Sequence, residues 1–236
     1  TDDKLNGSNL AANANVASAT ADANLEDAAI YIVKIEYQDE VGNTAASVTN
    51  STFTYDITAP TISSTAPAQD ATINNTQVSY TLSETAASGT VTFTRTGGSA
   101  DGGPHVQALS GTELNSGAHN NITLTNDPTL VDGAIYTIEF DATDAAGNAA
   151  TPVSNTGITY DVTTAAPTLA TPAENSIDNG TLAIDFTLPE AASSGTVKMT
   201  FTRTSGTADN NAPHIITFTS NFETASQHTT TLTGSN

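Results

Sequence analysis

Carboxylates are the chemically capable side chains of this sequence. Of 236 residues, 25 are Asp or Glu and only 5 are Lys or Arg, a formal charge of −20 at neutral pH. Acidic groups gathered without basic neighbours repel one another unless a cation sits between them. A hard divalent ion, Ca²⁺ above all, suits Asp and Glu supplemented by Asn side chains, backbone carbonyls and water. Asp56, Glu84 and Asp144 form one candidate ligand set, and Asp161, Glu190 and Asp101 a second. The same residues have a conformational reading: Asp144 and Asn148 in DAAGN suit a tight turn, and Asp56 ends a strand. No EF-hand loop is present.

Other chemistries fall away on composition. The absence of Cys excludes disulfides, thiolate zinc sites, iron–sulfur clusters and a cysteine nucleophile. His105, His119, His214 and His228 form repeat-equivalent pairs at strand starts, without the H-x₃-H spacing of a zinc site, and are read as structural. There is no G-x-S-x-G elbow and no phosphate loop. Glu84 and Asp144 could nominally flank a glycosidic bond, but both recur at domain joints and Trp is absent, so no enzyme is expected. Five scattered basic residues cannot neutralise a nucleic-acid backbone. No apolar run approaches the roughly 20 residues of a membrane span, and no charged-then-apolar leader opens the chain. Lys34 alternates outward from Val33 and Ile35, and Lys198 sits in an insertion beside Met199, so neither offers a buried amine for a Lys–Asn crosslink. Arg95 and Arg203 recur in TFTRT, where the register suggests an inward guanidinium paired with a carboxylate.

The elements that position the carboxylates follow from an internal repeat. DAAIYIVKIEYQDEVGN (27–43) aligns without a gap on DGAIYTIEFDATDAAGN (132–148), and GNTAASVTNSTFTYD (42–56) on GNAATPVSNTGITYD (147–161), each at an offset of 105. YTLSETAASGTVTFTRTGGSADGGPH (80–105) matches FTLPEAASSGTVKMTFTRTSGTADNNAPH (186–214) with small insertions. YDITAPT (55–61) and YDVTTAAPT (160–168) mark the boundaries. The expected organisation is the back half of one unit (1–60), a complete unit (61–167) and the front of a third (168–236).

Within the complete unit apolar residues alternate with Thr, Ser and Asn, the period of a half-buried strand. Val78, Tyr80 and Leu82 share a face, as do Val91 and Phe93, and Tyr136, Ile138 and Phe140. Turn-forming clusters recur every 8–15 residues, giving about seven strands near 61–65, 76–83, 89–96, 105–110, 120–125, 134–142 and 151–161. Seven short strands in about 100 residues predict an all-β fold: an antiparallel two-sheet sandwich. An up-and-down path brings Glu84, Asp144 and the preceding unit's Asp56 to the pole where the chain enters. The next junction repeats the design with Asp161, Glu190 and the exit-pole Asp101. Linkers as short as ITAP leave little slack, so a cation there would turn a string into a rod.

LEDAAIY (25–31) and LVDGAIY (130–136) place Asp27 and Asp132 four residues before Tyr31 and Tyr136, similar to the tyrosine corner of immunoglobulin-like sandwiches. With the S/P-E strand ends, the Y/F-x-x-D-x-x-G-N hairpins and the Y-D-x-T-A-P-T boundary, the chain resembles the tandem immunoglobulin-like repeats of large bacterial surface adhesins. That resemblance implies a secreted, cell-surface protein with calcium between its domains, held by Asp56, Glu84, Asp144, Asp161 and Glu190. It assigns Asp27, Tyr31, Asp132 and Tyr136 to structure. Pro189 replaces Ser83 beside the second glutamate, a departure in local geometry.

The expected role is a stalk segment stiffened by Ca²⁺, its partners being neighbouring Ig-like repeats of the same chain. The alternative is a subunit of an extracellular filament or sheath, in which the incomplete halves of adjacent identical chains complete each other by strand complementation. A carbohydrate-binding accessory module is disfavoured by the lack of Trp and an aromatic content of 6%.

Overall fold

The computed structural model describes residues 25–233. The described residues up to Val162 form one compact unit and those from Thr163 a second. Both are built from β-strands, each with one short 3₁₀ turn among the described residues.

The first described element of the first unit is a hairpin. Strands β1 (Ile30–Tyr31) and β2 (Lys34–Ile35) run antiparallel to β4 (Phe53–Thr54) and β3 (Val48–Thr49). A sandwich follows, comprising β5 (Ile62–Ala66), β6 (Thr72–Ile73), β7 (Val78–Leu82), β8 (Ser88–Gly98), β9 (Pro104–Ala108), β10 (Gly117–Ile122), β11 (Ala134–Thr143) and β12 (Val153–Tyr160). One sheet has the order β10-β7-β5 and the other β6-β12-β11-β8-β9.

Alternation decides which side chains meet between the sheets. Val78, Tyr80 and Leu82 from β7 face Val91 and Phe93 from β8, Ala134, Tyr136, Ile138, Phe140 and Ala142 from β11, and Ile158 from β12. All are buried, and each large one stabilises the fold by about 1.5–3 kcal/mol. The intervening Thr, Ser and Glu face outward. The Tyr80 ring stacks on His119 at 4.6 Å between centroids, and its hydroxyl donates to the Glu113 carbonyl at 2.7 Å.

Two details go beyond what strand periodicity specifies. The fourth strand, β9, pairs with its hairpin neighbour β8, so the sandwich divides three against five. The first strand splits between sheets: β5 pairs with β7, whereas β6 runs parallel to β12. Asn155 ties the crossing down, its amide donating to Thr65 Oγ1 at 3.1 Å and to the Pro67 carbonyl at 2.8 Å. Gly157 lies opposite this crossing at φ +73, in the bulge of β12, where an L side chain would be strained and its Cβ would force the Asp70 carboxylate aside.

The second unit repeats the front of this plan. Strands β13 (Thr168–Thr171), β14 (Thr181–Thr187) and β17 (Gln227–Thr233) form one sheet in the order β13-β14-β17; β15 (Lys198–Phe201) and β16 (His214–Thr217) form the other. Its core is smaller, with Ile184, Phe186 and Phe218 buried and Leu188, Val197, Met199 and Phe201 partly covered.

Candidate functional site

Asp144 sits in the tight turn joining β11 to β12. Its Oδ1 accepts the backbone N–H groups of Gly147 (2.7 Å) and Asn148 (2.8 Å), and its Oδ2 accepts the Asn148 amide at 2.8 Å. Burial alone would raise its pKa, but these donors outweigh that and hold the carboxyl below its usual range. The Asn148 amide also reaches the Asp56 carbonyl at 3.2 Å, pinning the end of the preceding hairpin to this turn. Asp56 Oδ1 in turn accepts the Thr58 N–H at 3.1 Å.

Glu84 follows β7, whose end is fixed by a reciprocal pair: Thr61 N–H donates to Ser83 Oγ at 2.8 Å and Ser83 N–H to the Thr61 carbonyl at 3.1 Å. Asp56, Glu84 and Asp144 thereby each present a carboxylate oxygen, all within 4.8 Å of one another. Asp144 is buried and the other two are half-buried. Glu84 is pushed above its usual pKa, first by burial and then by Asp56, Asp144 and Asp27. Among the described residues the ion pairs are Lys34–Glu36, His105–Asp101 and His214–Asp209, and none involves this group. The donor set is all oxygen and carries unrelieved like charge. That chemistry fits a hard divalent cation and not a zinc or thiophilic site.

The other predicted ligands are placed differently. Asp101 is almost fully covered within its own sandwich: its Oδ2 accepts the Tyr136 hydroxyl at 2.5 Å and meets His105 Nε2 at 2.7 Å, and its Oδ1 accepts the Gly102 N–H. Asp161 lies in the first unit, half-buried at the end of β12, with its N–H bonded to the Ile73 carbonyl. Glu190 lies exposed in the second unit, where its carboxylate accepts the Ala165 N–H at 3.3 Å.

The corner residues divide their labour. The Tyr136 hydroxyl accepts the Val131 N–H at 3.0 Å, and the Tyr31 hydroxyl accepts the Glu26 N–H at 2.9 Å, both five residues upstream. The aspartates instead hold the segment leaving each hairpin. Asp27 Oδ1 accepts the Ile57 N–H at 2.8 Å, and Asp132 Oδ1 accepts the Val162 N–H at the same distance.

The expectation for Arg95 and Arg203 is corrected. Each guanidinium is exposed and caps the following turn: Arg95 donates to the Gly98 and Ser99 carbonyls, Arg203 to those of Gly206 and Thr207. The register runs unbroken from Val91 through Phe93 to Arg95, which pairs with Tyr136, and the bulge falls only beyond it, before Gly97; the guanidinium is held outside instead by the turn carbonyls it bonds at the end of the strand.

Sequence reasoning passed over Glu113. This buried carboxylate accepts the Ser110 N–H (2.7 Å), the Thr125 N–H (2.6 Å) and the Thr125 hydroxyl (2.9 Å), tying the segment before β10 to the one after it. Glu223 repeats it, accepting the Ser220 and Gly195 N–H groups. The signal was present as S-x-x-E at both places, Ser110 to Glu113 and Ser220 to Glu223.

Residues 56–164 match the family described as bacterial Ig-like domain. The match covers the complete sandwich and the short segments flanking it. No curated protein and no solved structure matches the chain. Fold and match agree on the class of that segment: an Ig-like β-sandwich, similar to bacterial Ig-like domains.

Proposed function

We propose that this chain is a spacer segment of a bacterial surface protein, a tandem array of Ig-like sandwiches whose joints are stiffened by Ca²⁺. The observation that supports it is the meeting of Asp56, Glu84 and Asp144 at the point where the hairpin 25–56 hands over to the sandwich. Asp56 would contribute from the preceding repeat, Glu84 and Asp144 from the next, so one ion would bond across the joint. Asp161 and Glu190 would be their counterparts one repeat on. An extracellular, adhesin-type setting agrees with the acidic, cysteine-free, Thr-rich composition, since millimolar calcium outside the cell suits modest-affinity oxygen sites.

Calcium titration followed by small-angle scattering tests the reading. Calcium should raise the melting temperature and sharpen the scattering profile toward that of a rod. Asp56→Asn combined with Glu84→Gln should abolish both responses while leaving the sandwich folded. A wild-type melt and profile identical in calcium and in excess chelator would sink it.

A further inference from the structure

Strand β9 is an outer edge of the complete sandwich, and its pairing with β8 fixes which of its backbone groups are spent. The Leu109 N–H donates to the Gly89 carbonyl at 2.9 Å. In the same register Gln107, opposite Val91, and His105, opposite Phe93, turn their N–H and C=O groups toward β8. Pro104, Val106 and Ala108 turn theirs away from the sheet. Of these outward groups the Ala108 carbonyl is bonded, by the Asn126 amide at 3.1 Å. Pro104 has no N–H to offer. Among the described residues the Val106 N–H and C=O, the Ala108 N–H and the Pro104 C=O have no partner.

The edge lacks the usual deterrents to pairing. β9 reads PHVQA, with no Lys and no carboxylate, and it runs against β8 without a bulge. Val106 stands 57% exposed at its centre. The second unit writes the same edge again. There the Phe218 N–H donates to the Val197 carbonyl at 2.9 Å, which turns Ile215 and Thr217 away from β15 just after Pro213. Ile215, the counterpart of Val106, is 60% exposed.

We propose that β9 is a docking edge for β9 of a second copy of this chain, the two strands pairing antiparallel about a two-fold axis at Val106. The occupant is specified by how the free groups complement themselves. Val106 of each copy exchanges N–H···O=C bonds with Val106 of the other, and each Ala108 N–H meets the Pro104 carbonyl of the other copy. The acceptor this register leaves over is the Ala108 carbonyl, because it faces a proline, and Asn126 already satisfies it. Shifting the register by two residues sets Val106 opposite Pro104 and leaves the Val106 carbonyl without a donor. The pairing joins the two five-stranded sheets into one and is isologous, so it closes as a pair at this edge. It sets spacers side by side, which goes beyond the spacer reading, and it needs no cation.

The test uses the 236-residue chain at about 0.15 M salt, where repulsion between the acidic copies is screened beyond about 8 Å. Mass by light scattering should rise with concentration, equally in calcium and in chelator. Amide exchange should slow at Val106 and Ala108 as concentration rises, while Gln107 and Leu109, already bonded to β8, stay unchanged. Val106→Pro removes an outward N–H and spares the bonds to β8. It should abolish the concentration dependence at Ala108 and, combined with Ile215→Pro, return the chain to a monomer while the melt of the complete sandwich persists. The chain has no cysteine, so Val106→Cys should oxidise readily to a disulfide-linked dimer, directly paired strand residues lying within disulfide reach. The exposed Ser154→Cys should crosslink far more slowly. A monomeric mass at all concentrations, Val106 exchange indifferent to concentration, oligomers undiminished in the double proline variant, or equal crosslinking through Ser154→Cys would each overturn the proposal. None of these bears on calcium, so the spacer reading stands or falls separately.

Discussion

Asp27 Oδ2 accepts the Thr58 hydroxyl at 2.5 Å, binding the corner of one repeat to the first residues beyond it. With the Ile57 N–H on Oδ1, the carboxylate grips the linker by two consecutive residues. Asn148 and Ser83 hold the same short segment from the sandwich that follows, at the Asp56 carbonyl and the Thr61 N–H. Direct hydrogen bonds therefore stiffen this joint whether or not an ion is present. Asp132 repeats the grip at Val162, the same 30 residues downstream.

Asp27→Ala is expected to speed hydrogen exchange at the Ile57 amide and leave the core amides of β11 unchanged. The pH dependence has a definite sign. The Thr58 hydroxyl and then the Ile57 N–H hold the Asp27 pKa below its usual value. Its contribution is thus complete above the ordinary carboxylate range, about pH 4, and is lost as pH falls through the lower folded value. Ile57 protection that survives the substitution would remove Asp27 from the joint.

Glu84→Gln should act in opposite directions with and without calcium. In chelator it removes a charge that burial, Asp56, Asp144 and Asp27 all oppose, so the melting temperature should rise. In calcium it removes a ligand, so the increment that calcium gives the wild type should shrink. Differential scanning calorimetry in both buffers reads the two signs.

Glu113→Ala should destabilise the sandwich by roughly 2–4 kcal/mol, since it leaves the N–H groups of Ser110 and Thr125 without their buried acceptor. Urea denaturation would show the midpoint fall at unchanged slope. A loss well under about 1 kcal/mol would mean that water replaces the carboxylate freely.

Tyr136→Phe should cost about 1–3 kcal/mol by stripping Asp101 of one donor and the Val131 N–H of its acceptor. Burial and then the bond to Asp101 push the Tyr136 pKa up to about 12, so the phenol is neutral over the working range. Asp101 is held low by Tyr136 and then by His105, which keeps its stabilisation intact above the ordinary carboxylate range; acid withdraws it. In Tyr136→Phe the acid limb of the stability curve should move toward higher pH.

Strand identity was legible because a half-buried strand writes its period directly into sequence: Tyr136, Ile138 and Phe140 alternate with Thr137 and Glu139, and no other element needs that pattern. The repeat was legible because both copies keep the same turn chemistry, DEVGN and DAAGN, whose Asp side chains bond the same backbone positions in Asp39 and Asp144. The place of the Arg95 guanidinium was not legible because alternation fixes a residue's register but not the path of a long side chain, which here turns to the Gly98 and Ser99 carbonyls of the following turn. Glu113 was half legible: its bond from the Ser110 N–H is written as S-x-x-E, but its bond from the Thr125 N–H spans twelve residues across β10, a relation that local pattern cannot express.

By itself the sequence determined the alternation, the turns, the duplicated hairpin and the acidic surplus, since each is a property of neighbours along the chain. Tertiary structure alone decided the partners that no repeat or strand order announces: Asp101 toward Tyr136 and His105, Asp27 toward Thr58. The physical reason is that a carboxylate's partner is set by how loops from distant strands converge, and that convergence depends on the sheet order, here three strands against five, which no local periodicity encodes.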